Sequence, residues 1–86
     1  MGRNGVEVTN LIRQVEELVR EGDIHDCRRE YEQAIVSYND ALCLDPDCAD
    51  AWLNKAITLN KMEKHPEAMI CISRAISLYK QISEQK

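Results

Sequence analysis

The sequence predicts an all-α fold of four antiparallel helices. Apolar residues recur at helical spacing along most of its 86 residues, and strong helix formers (Ala, Leu, Glu, Lys, Arg, Gln) dominate. The chain has no Phe, three Gly and two Pro, too few turn residues for a sandwich or barrel. Charged residues make up 30% and the apolar set 44%, the balance of a globular chain rather than a disordered one. At this length it is one domain with little apolar area to bury.

Residues 1–8 carry no clear pattern and read as a flexible lead-in. Thr9 reads as the N-cap of the first helix. Leu11, Ile12, Val15, Leu18, Val19 and Gly22 then share one face, and the helix is expected to reach about Cys27. A second helix starts near Glu30, with Tyr31, Ala34, Ile35, Tyr38, Ala41 and Leu42 on one side. It ends before Pro46, which disfavours helix at the preceding residue. Asp47 is expected to cap the third helix, with Asp50 in a first turn where negative charge suits the helix dipole. Trp52, Ala56 and Leu59 recur along it. Pro66 fits the first turn of a fourth helix, where its missing N–H is no loss. Ala68, Met69, Ile72, Ala75, Ile76, Tyr79 and Ile82 follow. No stop signal comes after them, so 83–86 read as a tail or a continuation of that helix. The short connections imply antiparallel neighbours.

A shift of 34 residues lays the first two helices on the last two. Leu18 falls on Trp52, Gly22 on Ala56, His25 on Leu59, Ala34 on Ala68, Tyr38 on Ile72, Ala41 on Ala75 and Leu44 on Leu78. Gly22, Ala34, Ala56 and Ala68 are small where paired helices must approach closely, and Leu18, Trp52, Tyr38 and Ile72 fill the space beside them.

This order of residue types at this period resembles the tetratricopeptide repeat. The resemblance divides the chain into a first repeat within 9–48 and a second over 49–82. It implies two tandem helix-turn-helix repeats, a short α-solenoid with an extended last helix. Arg29 and Glu63 stand in the helix-to-helix turns where the family has Gly, and His25 stands where Tyr is usual. Glu21 and Lys55 occupy a commonly apolar position and are expected to face each other as an ion pair.

Tetratricopeptide arrays resemble scaffolds, and the resemblance implies a non-catalytic module that binds a peptide along the concave face of the first and third helices. Carried over by position, that groove comprises Glu16, Val19, Arg20, Asp23, Asp26 and Cys27, with Asp50, Leu53, Asn54, Ile57, Asn60 and Lys61. Four of these are acidic and two basic, which favours a partner peptide of positive charge. The clamp by which one sub-family holds a carboxylate tail is not retained. Asn54 matches it, but Val19 and Asp23 stand where Lys and Asn are required, and the third repeat is absent. A different expectation attaches to the last helix. Met69, Ile72, Ile76, Tyr79 and Ile82 spread too widely around it for one core face to hide. That makes it an interaction face for self-association as a homodimer or for the continuation of a longer array.

Other chemistry is not expected. A net charge of −4 with no basic run argues against nucleic acid. No apolar run approaches the ~20 residues of a membrane helix. No secretory signal opens the sequence, so the four cysteines are expected to be reduced thiols of a cytoplasmic protein. Cys27 and Cys43 fall at opposite ends of an antiparallel pair, so no zinc site is expected. His25 and His65 are isolated from any nucleophile, His25 being read as an interface residue and His65 as a turn residue. No phosphate loop or nucleophile elbow appears. No cofactor or catalytic residue is assigned.

Overall fold

Four helices follow one another in the computed structural model, which describes residues 5–84: α1 (Gly5–Cys27), α2 (Tyr31–Leu44), α3 (Ala49–Lys61) and α4 (His65–Glu84). No strand occurs among the described residues. The lead-in expected over 1–8 is helical from Gly5 onward, so Thr9 lies inside α1 and caps nothing. Residues 1–4 of that lead-in and 85–86 of the expected tail lie outside the described residues.

The helices pack in sequence order, α1 on α2, α2 on α3 and α3 on α4, and α1 also reaches α3. Residue pairings run antiparallel: Val15 lies with Leu42 while Gly22 meets Tyr38 further back along α2. Ala34, Ala41, Ala51, Ala56, Ala68 and Ala75 are all 0% exposed. These methyl-sized side chains let the backbones approach, and a larger side chain there typically costs ~1–3 kcal/mol.

The core has two parts. Val15, Ala41, Leu42 and Ala51 form one, against which Leu18, Val19, Cys48 and Trp52 pack. Ala56, Leu59, Ala68 and Cys71 form the other, joined by Ile35, Trp52, Met62 and Ile72. Trp52 belongs to both, so one indole ties the two halves together. Its N–H donates to the carbonyl of Pro46 at 2.8 Å, which satisfies the polar end of a half-buried ring. Leu18 and Trp52 therefore lie between helices, as their spacing predicts.

The two turns that close the helix pairs are copies. Glu30 N–H donates to His25 C=O at 2.8 Å and Arg29 N–H to Asp26 C=O at 3.0 Å; Lys64 donates to Leu59 at 2.9 Å and Glu63 to Asn60 at 2.9 Å. Each pair of bonds is a Schellman ending, whose C′ residue must be left-handed. Arg29 and Glu63 both have φ 63° there, a conformation that glycine adopts with least strain. His25 Nδ1 donates to Glu30 at 2.7 Å across the first turn, and His65 Nδ1 to Asn60 Oδ1 at 2.8 Å across the second.

Three local expectations are corrected. The cap of α3 is Cys48, with no side-chain hydrogen bond, and Asp47 instead accepts from Arg74 Nη2 at 3.0 Å. Glu21 and Lys55 form no ion pair; the Lys55 ammonium lies 5.6 Å from the centre of the Trp52 ring, a cation–π contact. His65 is the first residue of α4 rather than part of the turn. No helix among the described residues is long and apolar enough to cross a membrane.

Candidate functional site

Between α1 and α3, four of the polar side chains that the sequence assigns to a groove, Asp23, Asp26, Asn54 and Lys61, are held in hydrogen bonds across the two helices. Asp23 accepts from the phenol of Tyr38 and from Asn54 Nδ2 at 3.1 Å. One turn further along α1, Asp26 accepts from Thr58 Oγ1 at 3.0 Å and from Lys61 Nζ at 2.7 Å. The donors on α3 stand at helical spacings of three and four residues, so Asn54, Thr58 and Lys61 line one side of that helix. Two adjacent carboxylates on α1 thus fix the register of α1 against α3.

The remaining assigned residues divide into three kinds. Glu16, Arg20, Cys27 and Ile57 are exposed. Val19 and Leu53 are half-buried, and Val19 packs on the first core cluster. Asn60 spends its side-chain oxygen on His65. Asp50 accepts from the phenol of Tyr79 on α4, so its carboxylate is engaged at the α3–α4 edge rather than between α1 and α3. Tyr79, one of the residues assigned to the interaction face of the last helix, is 38% exposed. Ile72 is half-buried against the second core cluster. Met69, Ile76 and Ile82 are 62%, 54% and 61% exposed.

The hydroxyls of Tyr38 and Thr58 complete the α1–α3 network, that of Tyr79 makes the separate bond at the α3–α4 edge, and the sequence reading gave none of them a polar role. Thr58 is 0% exposed, and a buried hydroxyl amid an apolar stripe is the signal that points to a nearby acceptor. Burial first, then the Asp23 bond, pushes the Tyr38 phenol far above its usual range. The Asp50 bond, helped by burial, pushes Tyr79 up to about 12. Lys61 is raised by its bond to Asp26.

On the opposite side a cleft of about 410 Å³ lies between α2, α3 and α4. Ile35, Trp52, Leu59 and Cys71 contribute to its apolar lining, and Lys55, Lys64, Glu32 and Glu67 bring charge to it. The cysteines are all free: Cys27 and Cys43 are exposed, Cys48 is half-buried and Cys71 buried. Burial raises the thiols of Cys48 and Cys71, which disfavours the reactive thiolate. Among the described residues no group of three or more His, Cys, Asp or Glu is placed to hold a metal ion.

No family model matches the chain. An uncharacterised protein of Methanocaldococcus jannaschii, MJ0572, is 31% identical to it over 84 residues, a stretch covering 98% of this chain and 78% of the archaeal protein. That likeness runs through all four helices and both turns. The chain belongs to one family with this archaeal protein.

Proposed function

We propose that the chain is a pair of tandem tetratricopeptide-like repeats acting as a non-catalytic protein-binding module, a short α-solenoid scaffold. In this reading the face shared by α1 and α3 takes an extended or helical segment of a partner protein. The carrying observation is that this face is held in register before any partner arrives, by Asp23–Asn54 and by Asp26 with Thr58 and Lys61. A surface already ordered loses less entropy on binding than one that must be ordered by its ligand. The identical turns 34 residues apart support the repeat.

The partner's chemistry follows from what remains on that face. Lys61 answers the charge of Asp26, while Glu16 and Asp23 form no ion pair among the described residues. Carboxylates keep further lone pairs after one or two hydrogen bonds. A basic segment with apolar residues over Leu53 and Ile57 suits this surface. Titration with a basic and an acidic peptide, followed by amide shifts, tests it. Saturable shifts at Asp23, Asn54 and Lys61 with the basic peptide are expected; no shift there with either peptide removes the groove.

A second reading, an assembly module that uses α4 as a dimer or array interface, is favoured by the exposure of Met69, Ile76 and Ile82. Sedimentation at several concentrations separates self-assembly from the groove. A strict monomer at high concentration removes the homodimer.

A further inference from the structure

We infer that the cleft between α2, α3 and α4 is a binding site for a small organic acid, a single carboxylate on an apolar body, and that Lys55 holds the carboxylate. The site is separate from the α1–α3 face and stands whether or not that face takes a peptide.

This chain supplies every wall of the cleft. Helix α3 packs on both of its neighbours and contributes Trp52, Lys55 and Leu59, between Ile35 from α2 on one side and Ile70 and Cys71 from α4 on the other. The volume of about 410 Å³ lies in the lower part of the range of small-molecule sites, ~300–1,000 Å³. Its lining of 11 residues falls short of the ~20–30 that a stable protein interface uses on each side. The size suits a small molecule rather than a second protein.

Helical register sorts the lining into two ends. Leu59 and Cys71 belong to one core cluster and Ile35 packs against it, so these three mark the middle. Neighbouring helices run antiparallel, so a step toward the start of α3 is a step toward the end of α2. That direction leads to Lys55 and then Trp52 on α3, and to Asn39 on α2. An ammonium, an indole and an amide stand there, with no carboxylate. The opposite direction leads to Met62, Glu32, Glu67 and, in the turn before α4, Lys64.

Charge distinguishes the ends. Lys55 is half-buried; its ammonium lies 5.6 Å from the centre of the Trp52 ring and forms no ion pair among the described residues. Arg74, one turn beyond Cys71 on α4, is already paired with Asp47. Burial raises the Cys71 thiol and the Lys55 charge opposes that rise, so the charge is felt across the cleft at α4. Glu32 and Glu67 are exposed. Water screens exposed charges more than half-buried ones, so the pull of Lys55 on an anion outweighs that of the two glutamates on a cation. The ligand therefore sets its carboxylate on Lys55, where Asn39 adds an amide donor, and runs its apolar body toward Leu59 and Met62.

Phenylbutyrate is the probe, with phenylbutanol and phenylbutylamine as its neutral and cationic counterparts. Titrated into the intact chain, the acid is expected to move the Trp52 indole N–H signal and the methyl signals of Ile35, Leu59 and Ile70 saturably, and to leave those of Leu11 and Ile12 in place. A molecule of this size is expected to bind with a roughly millimolar Kd. The alcohol is expected to bind roughly three- to tenfold more weakly, and the amine more weakly still. Lys55→Met keeps an unbranched stem without the charge and is expected to bring the acid down to the affinity of the alcohol. Shifts that the alcohol itself produces at Ile35 and Leu59 show that the cleft of the variant is intact, and Lys55→Gln gives the same readout should Met alter the packing over Trp52. Lys64→Met, at the other end, is expected to leave the preference for the acid unchanged. Three results overturn the proposal: no shift in the cleft with the acid, an amine that binds as tightly as the acid, or a preference for the acid that survives the loss of the Lys55 charge.

Discussion

Gly22 of α1 lies against the ring of Tyr38 on α2, so closely that a Cβ built on the glycine would stand 2.4 Å from Tyr38 Cε1. Tyr38 is 1% exposed and its phenol is held by Asp23, one residue after the glycine. The ring cannot retreat without breaking that bond or moving α2. In an exposed helix interior Gly→Ala gains roughly 0.5–1 kcal/mol. Here the sign reverses: Gly22→Ala is expected to destabilise by ~1–3 kcal/mol through overpacking. The urea midpoint of the variant checks this, and a midpoint at or above that of the parent chain counts against the close packing.

Arg29 and Glu63 give the opposite case. Both hold φ 63° at the C′ position of a helix, where a side chain costs about 1–2 kcal/mol relative to ordinary helical backbone. Glycine removes that strain but gains freedom in the unfolded chain, which offsets ~0.5–1 kcal/mol of the benefit. Arg29→Gly and Glu63→Gly are each expected to stabilise by roughly 0.5–1 kcal/mol, raising Tm by several degrees in a domain of this size. The two sites lie in separate turns, so the double variant is expected to show the sum within ~0.5 kcal/mol. A fall in Tm for either variant would show that the side chain, not the backbone, governs the turn.

The helical pattern was legible because packing volumes repeat: Gly22, Ala34, Ala56 and Ala68 stand where helices meet, and Pro46 and Pro66 mark the breaks. The start of α1 was not. Thr9 has the chemistry of a cap, but capping preference is a weak local signal and the helix runs through it from Gly5. Similarly, Asp47 turns to Arg74 on α4, and Lys55 lies over Trp52, three residues back on its own helix, rather than reaching Glu21 on α1. The residues of the α1–α3 face could be assigned by position, but their bonds could not. Whether Asp23 and Asp26 point to solvent or across to Asn54, Thr58 and Lys61 depends on side-chain reach between helices, which periodicity does not encode.

Asp26 is the residue on which that face most depends. Thr58 is fully buried, and Asp26 accepts its hydroxyl. Asp26→Ala leaves the Thr58 donor without that partner and is expected to cost ~1–3 kcal/mol. Asp26→Asn keeps an acceptor oxygen and is expected to cost less. Lys61→Ala removes only an ion pair whose lysine is 44% exposed, expected to contribute ~0–1 kcal/mol after solvent screening. Chemical denaturation of the three variants orders them. Should Lys61→Ala prove the most damaging, charge rather than the buried hydroxyl would be holding α1 to α3.

Alkaline pH probes the same contacts from another side. Tyr79 is raised to about 12 by its bond to Asp50, Tyr38 is raised further by burial and Asp23, and Lys61 is raised by Asp26. Each keeps its proton more tightly when folded than when unfolded, where tyrosine titrates near 10 and lysine near 10.4. Above those values the folded state binds more protons than the unfolded state, so stability falls as pH rises. Their contribution is complete below about pH 10 and is lost above it, for Tyr79 over the window from about 10 to about 12. The urea midpoint is therefore expected to decline from about pH 10 upward, and the decline is expected to be shallower in Tyr79→Phe, which has no phenol to titrate. Absorbance near 295 nm is expected to report Tyr38 ionising together with unfolding rather than before it. A Tyr79→Phe profile as steep as that of the parent chain would remove the Tyr79–Asp50 bond from the account of how α4 is held to α3.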